Sequence, residues 1–381
     1  MKKQKSKLCI IHFLPLEAYP PVMNLVDYIG DLQHIELAVV SNHIEKKKNL
    51  SEYVAKNGQV KIFRPGKTHQ SAILRYWNYF KFYLGTLFFI VRYAPENILY
   101  VETLSSWPAL IYKKLKGKKV NLLVHYHEYA TPNEYATRML LSKWMHKIEL
   151  NMYKQFSWIS QTNPVRMGMF RNDYPEVFSN INPEVFQIMP NYPPRSWEDI
   201  SKTGLLDKRP VKLVYVGSLG LKNMYLEEVV NWLKNHQQDF TLDIYAHNIN
   251  EEAKSFLDSA DAPNVKYCGG CTYQLLPGVL KKYDVGIVIY KPFSLNTVNA
   301  VSNKVFEYVA CGLDVWFSTD MTFTFEYTKL NAYPKIIPVD FSKLDEFDFK
   351  AALSREGISY KPSLYYCENI YQHLVSKLNI E

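Results

Sequence analysis

A chain of 381 residues is too long for one ordinary hydrophobic core and suggests two domains of roughly 150–200 residues. Hydrophobic residues make up 47% and charged residues 22%, which excludes a disordered chain, and no run of 18 apolar residues suggests a transmembrane helix. The net charge of +8 is uneven: residues 1–190 hold 25 Lys and Arg against 14 Asp and Glu, and the rest hold 20 against 23.

The basic half is expected to face a polyanion or an anionic membrane. Nucleic acid is not expected, because the sequence shows no zinc-finger spacing and no Gly-aromatic RNA-binding signature. Cys9, Cys268, Cys271, Cys311 and Cys367 form no disulfide framework, which points to a reducing cytoplasm.

In chain order, the basic N-terminus runs into Leu8–Phe13 (LCIIHF), read as a first strand and not as a signal peptide. Ile35–Val40, Val60–Phe63, Ile98–Val101, Val120–Val124 and Trp158–Ser160 continue as strands, with helical stretches near 22–31, 71–94, 107–116 and 134–155. His125-Tyr-His-Glu128 closes one strand, at the end where open parallel sheets hold ligands. H-x-H could hold a metal, and a pair of hydrogen-bonded histidines at a domain edge would read the same way. Residues 75–92 (RYWNYFKFYLGTLFFIVR) are aromatic and apolar with basic ends. They suit a buried amphipathic helix or a membrane-surface helix, and residues 138–154 repeat that composition.

Pro190-Asn-Tyr-Pro-Pro194 and the polar stretch to Pro210 mark a domain boundary. The strand pattern then restarts with Val211–Val216, Leu242–Tyr245, Val265–Cys268 and Val285–Tyr290. Gly217-Ser218-Leu-Gly220 follows a strand and precedes a helix, which suits close approach to a phosphate or a mere tight turn; Lys222 could place an ammonium beside it. Cys268 and Cys271 make a C-x-x-C, but no further zinc ligands stand nearby, so no metal is expected. In Ser302-Asn-Lys-Val-Phe-Glu-Tyr-Val-Ala-Cys-Gly312, Lys304 and Glu307 share one helix face. An ammonium and a carboxylate one turn apart suit a nucleotide diphosphate, and equally an ordinary surface ion pair. Residues 365–378 read as an amphipathic helix.

The segment 302–315 resembles the donor-binding helix of GT-B-fold glycosyltransferases of the "group 1" type, which read (P/S)-N-K-x-F-E-Y-x-A-x-G-x-P-V. The resemblance implies two Rossmann-like α/β domains facing across a cleft. These are an acceptor domain over 1–195 and a donor domain over 210–360, with a C-terminal helix over 361–381 crossing back. It puts Glu307 on the donor ribose and Lys304 by the diphosphate, with Ser302 and Asn303 opening the helix. Asn299 stands where the family often has a sugar-binding glutamate, and Asp314 where it has proline. Gly217, Ser218 and Lys222 fall in its diphosphate loop, and Gly270 in the loop that touches the base. His125-Tyr-His-Glu resembles the family's Y-D-x-H-E strand end, which implies catalytic roles for His127 near the donor sugar and Glu128 beside it.

The implied activity is metal-independent transfer, with retention, of a sugar from a nucleotide-diphosphate sugar to a saccharide or lipid-linked saccharide acceptor. Such a protein would serve cell-surface polysaccharide synthesis without a cofactor, in the cytoplasm or at the inner membrane face. A nucleotide-sugar epimerase or a catalytically silent nucleotide-sugar-binding partner are the alternatives.

Overall fold

Runs of β-branched residues pair into two all-parallel sheets in a computed structural model that describes residues 5–44, 52–67, 72–137, 140–199, 210–329 and 332–378. The chain divides into two compact units, Met1–Asn191 with Cys367–Glu381, and Tyr192–Tyr366.

The first unit runs β1 (Ser6–His12), α1 (Pro20–Gly30), β2 (Ile35–Ser41), β3 (Lys61–Phe63), α2 (Ala72–Tyr93), β4 (Asn97–Val101) and α3 (Ser106–Lys116). It continues through β5 (Asn121–Tyr126), α4 (Pro132–Thr137), α5 (Leu140–Leu150), β6 (Trp158–Gln161), α6 (Pro164–Asp173), α7 (Pro175–Phe178) and β7 (Phe186–Ile188). The sheet order is β3-β2-β1-β4-β5-β6-β7. The chain therefore reverses its direction of winding between β1 and β4, and the carboxyl ends of those two strands flank a topological switch point.

The second unit holds β8 (Val211–Val216), α8 (Leu226–Asn235), β9 (Phe240–Tyr245), α9 (Glu251–Ser259), β10 (Val265–Tyr267) and α10 (Leu276–Leu280). It goes on through β11 (Val285–Val288), α11 (Leu295–Val298), α12 (Asn303–Ala310), β12 (Asp314–Ser318), β13 (Ile336–Val339) and α13 (Phe349–Leu353). The order β10-β9-β8-β11-β12-β13 places a second switch point between β8 and β11. Helices cover both faces of this sheet, as an all-parallel sheet requires. Val229, Val230 and Leu233 of α8 pack on one side, and Val305, Tyr308 and Val309 of α12 on the other.

A last helix, α14 (Cys367–Ser376), belongs to the first unit. There the Tyr371 hydroxyl donates to the Pro21 carbonyl at 2.9 Å and His373 meets Gln187 at 3.1 Å. The unit boundary falls after Asn191 because the next residues pack on the second core. The Tyr192 ring lies 4.6 Å from Phe306, and the Asp199 amide donates to the Ala310 carbonyl at 3.1 Å. The polar stretch from 200 to 209 lies outside the described residues.

Where the helical pattern near 134–155 runs on, α5 stops at Leu150, and Arg138 and Met139 lie outside the described residues. Beyond Leu150 the chain turns so that Tyr153 enters the core, its hydroxyl 2.7 Å from that of Tyr126. On α5 itself Glu149 is fully buried yet satisfied: the hydroxyls of Tyr100, Tyr126 and Thr103 donate to it at 2.8, 3.1 and 3.0 Å. A buried carboxylate is tolerated only with such partners, so this network ties α5 to β4 and β5.

The helix α2 is apolar on two faces. Tyr79, Phe82, Tyr83 and Ile90 enter the core, while Trp77, Phe80, Leu84, Phe88 and Val91 stay exposed, Phe88 at 72%. No helix among the described residues is long and apolar enough to cross a membrane.

Candidate functional site

In the second unit a single aromatic side chain sets the position of α12. Gly286 on β11 has no side chain, and a Cβ there would lie 2.1 Å from the Tyr308 ring. The ring fills that space, and its hydroxyl accepts the Val216 amide at 3.1 Å, the last residue of β8. The helix is thereby fixed across the β8/β11 switch point.

From this helix Lys304 and Glu307 approach the end of β8. Gly217 takes a φ of +133°, and a Cβ on it would meet Lys304 Cε at 2.6 Å and Nζ at 2.9 Å. Only glycine meets both demands, the backbone angle and the lysine lying against it. Lys304 Nζ donates to the Tyr290 hydroxyl at 2.7 Å. Burial pulls the Lys304 pKa down, but Tyr290 and Glu307 outweigh it and the net shift is upward. Glu307 is 6% exposed; burial raises its pKa to about 7 against the opposing pull of Lys304 and a hydrogen bond with Asn303. Lys304 and Glu307 attract at a distance without forming a direct ion pair. Among the described residues Lys304 Nζ has one hydrogen-bond acceptor, and it lies 5.2 Å from the centre of the Tyr290 ring.

The other expected donor residues are spread around this point. Ser302 precedes α12 and is buried without capping it through its side chain. The Ser218 carbonyl accepts the Tyr215 hydroxyl at 2.6 Å, which pins the loop after β8. Lys222, further along that loop, is exposed and pairs with Glu252 at 2.9 Å. Gly270 lies against His247, where a Cβ would come within 1.9 Å of Nδ1, and His247 Nε2 meets the Cys271 carbonyl at 2.8 Å. Asn299 follows α11 and donates to the Leu295 carbonyl at 3.1 Å. His247 was not legible in the sequence, since its role shows only through contact with a glycine 23 positions away.

In the first unit the residues at the strand ends gather around a cavity of about 320 Å³ at the β1/β4 switch point. His12, Leu14, Tyr19, Glu102, Glu128 and Tyr135 are among its lining. His127, just beyond β5, stacks on Tyr19 with ring centroids 5.7 Å apart and meets His125 edge-on at 4.6 Å. Burial lowers the pKa of His127 to about 4, which Asn191 opposes and Arg166 reinforces, and its Nε2 has no hydrogen-bond partner among the described residues. Burial likewise lowers His12 to about 3, with His127 adding to the shift, and pushes His125 well below the ordinary range. All three rings are neutral at pH 7. Among the described residues no group of His, Cys, Asp or Glu has a metal-holding arrangement.

Glu102 was missed in the sequence. Its carboxylate Oε1 accepts the amides of His127 at 2.7 Å and Glu128 at 3.1 Å, while Arg166 donates to the His127 carbonyl at 2.7 Å. The turn after β5 is therefore clamped from both sides. Burial raises the Glu102 pKa to about 7, the two amides working against that shift and the Glu128 charge with it.

No protein-family model matches the sequence, and no curated protein matches it. Solved structures do. A lipopolysaccharide outer core galactosyltransferase in apo form superposes with a TM-score of 0.61 at 12% identity, over 98% of this chain and 100% of that one. Anabaena HepE in complex with UDP and glucose gives 0.60 at 12%, over 98% and 99%. The chain has the GT-B fold. A UDP-GlcNAc 2-epimerase from Methanocaldococcus jannaschii shares this GT-B architecture, with 0.57 at 10% over 97% and 99%. GT-B chains thus include transferases and an epimerase, so the fold leaves the reaction to be argued from the site.

The raised pKa of Glu307 has a consequence for stability. A carboxyl whose folded pKa lies above its unfolded value stabilises the fold below about pH 4.5, and that contribution is lost as pH rises through 7. Glu307→Gln should therefore melt a few degrees above wild type at pH 8, on the order of 2 kcal/mol, and match it near pH 4.5. Melting curves at the two pH values check this; a uniform loss of stability at both would contradict the assignment.

Proposed function

We propose that this protein is a glycosyltransferase that takes a sugar from a nucleotide-diphosphate sugar and passes it, with retention and without a metal, to a saccharide or lipid-linked saccharide acceptor. The observation that carries the reading is the grouping of Gly217, Lys304 and Glu307 at the β8/β11 switch point. A diphosphate fits the glycine-lined strand end and the ammonium, and the Glu307 carboxyl suits two vicinal ribose hydroxyls. The resemblance of residues 302–315 to the group 1 donor helix supports these roles, and Anabaena HepE, bound to UDP and glucose, supports the donor class. His127 and Glu128 act in the first unit, His127 as a neutral ring beside the transferred sugar. Cell-surface polysaccharide synthesis, on the cytoplasmic side, is the setting that this substrate class suggests.

Thermal shift across UDP-, GDP- and CMP-sugars identifies the donor, a hundredfold excess over Kd adding about 2.7 kcal/mol. Glu307→Ala should then weaken donor affinity roughly ten- to a hundredfold, since a hydrogen bond to a charged group contributes about 1.5–3 kcal/mol. His127→Ala should cut turnover while nucleotide still binds, and chelator should leave wild-type turnover intact. Unchanged donor affinity in a folded Glu307→Ala protein would sink the reading. Conversion of the donor to an isomer with no acceptor present would favour an epimerase instead.

The lipid-linked acceptor is supported by the outer face of α2. Trp77, Phe80, Leu84, Phe88 and Val91 form one stripe, the Trp77 and Phe80 rings stack at 5.4 Å, and exposed Arg75, Lys81 and Arg92 flank them. On α5, which meets α2 where the Tyr83 hydroxyl lies 3.6 Å from Met145 Sδ, Leu140 and Trp144 are exposed beside Lys143 and Lys147. Aromatic and aliphatic side chains ringed by cations match an anionic lipid surface, each cation adding about 1 kcal/mol. In flotation assays the protein should rise with anionic liposomes at low salt, less at high salt, and hardly at all with neutral ones. Trp77→Glu with Phe88→Glu should abolish the effect. Equal flotation with anionic and neutral vesicles would rule out this surface.

A further inference from the structure

A second cavity, of about 500 Å³, opens on the outside of the first unit between α4, α5 and Tyr174. Tyr135 and Ala136 of α4 and Leu140, Trp144 and Leu150 of α5 line it, and no Asp or Glu is among its described lining. Leu140, 83% exposed, and Trp144, 49% exposed, give it an open apolar edge. Lys143 and Lys147 stand one turn apart on the same helix, both exposed, and complete the rim. Neither lysine makes an ion pair among the described residues.

The polar atoms beneath this cavity are engaged elsewhere. The Tyr135 hydroxyl meets that of Thr103 at 2.9 Å, and His146 Nε2 meets the Tyr174 hydroxyl at 3.1 Å. His146 Nδ1 turns to within 3.5 Å of the buried Glu149 carboxylate. The Tyr135 and His146 rings stack at 3.7 Å, so an occupant meets ring and aliphatic carbon. A sugar or a nucleotide would bury hydroxyls there without partners, which is unfavourable. A hydrocarbon chain would not, and two ammonium groups at the rim suit an anion at its end. We propose that this cavity binds a lipid phosphate, its chain against Tyr135, Leu140 and Trp144 and its phosphate at Lys143 and Lys147. The volume lies within the ordinary range of ligand cavities. The proposal goes beyond the lipid surface offered by α2, because one molecule is taken up. It does not depend on the glycosyltransferase reading, because its test measures binding and not turnover.

Calorimetry on the full chain tests this with octyl, decyl and dodecyl phosphate below their micelle-forming concentrations. Inorganic phosphate and dodecyltrimethylammonium serve as the headgroup-only and wrong-charge controls. We expect one dodecyl phosphate per chain, with affinity falling about fourfold for each methylene removed. Both controls should bind at least tenfold more weakly. Ala136→Trp, at an exposed position of α4, fills the cavity and should weaken dodecyl phosphate tenfold or more without lowering the melting temperature. Lys143→Gln with Lys147→Gln should weaken it several-fold and keep the dependence on chain length. Trp77→Glu with Phe88→Glu, on α2, should leave it within twofold.

Equal affinity for the three chain lengths overturns the proposal, and so does inorganic phosphate bound as tightly as dodecyl phosphate. Undiminished binding by folded Ala136→Trp means that the chain lies elsewhere. Should that variant not fold, the lysine pair decides, and undiminished binding there overturns the proposal equally. A wild type that takes up no monomer yet floats with anionic liposomes adsorbs to membranes without using this cavity. Loss of monomer binding in the α2 variant would make the cavity part of that general surface and contradict a separate site.

Discussion

The placement of Tyr308 over Gly286, with its hydroxyl on the Val216 amide, is the contact on which the second unit's chemistry depends. It joins α12 to two strands that are neighbours in space but 69 residues apart in sequence, counting from Val216 to Val285. Once the helix is fixed there, Lys304 must lie along Gly217 and hydrogen-bond Tyr290. Glu307, three residues on, is drawn into a buried setting that raises its pKa. A lysine and a glutamate that could have paired directly attract each other without an ion pair, the ammonium donating to Tyr290 instead. In the proposed function this separation lets both groups meet the donor.

The first unit solves a related problem with neutral groups. Its sheet also reverses order, and His12, Glu102 and the turn holding His127 and Glu128 collect at the resulting gap. Burial keeps the histidines neutral, and the Glu102 carboxylate set among them accepts two backbone amides. Near neutral pH a buried carboxyl whose pKa is raised, or a side chain on a strained backbone, lowers the stability of the fold. Both units accept that cost at their switch points and offset it elsewhere, for example in the satisfied network around Glu149.

Much of this architecture was legible in the sequence because it depends on local pattern. The runs LCIIHF, VKLVYV and their neighbours read as strands through β-branched content, and S-N-K-V-F-E-Y-V-A-C-G reads as a helix with a charged face. The short edge strands β7 and β13 escaped notice, since three or four residues carry too little pattern to stand out. Glu102 escaped for another reason. Nothing in V-E-T-L announces a positive φ, and its partners lie 25 and 26 residues away. Lys222 shows the reverse case, a loop lysine whose partner Glu252 is visible only in the fold. For α2, composition left a buried amphipathic helix and a membrane-surface helix as rivals; the structure buries one face of it and leaves Trp77, Phe80, Leu84, Phe88 and Val91 exposed on the other.

The measurement that tests the central claim most directly is a crystal structure of the protein with its nucleotide sugar bound. The account predicts both ribose hydroxyls on the Glu307 carboxyl and the diphosphate between the Gly217 backbone and Lys304 Nζ. Ribose bound elsewhere, with Lys304 still held only by Tyr290, would contradict it.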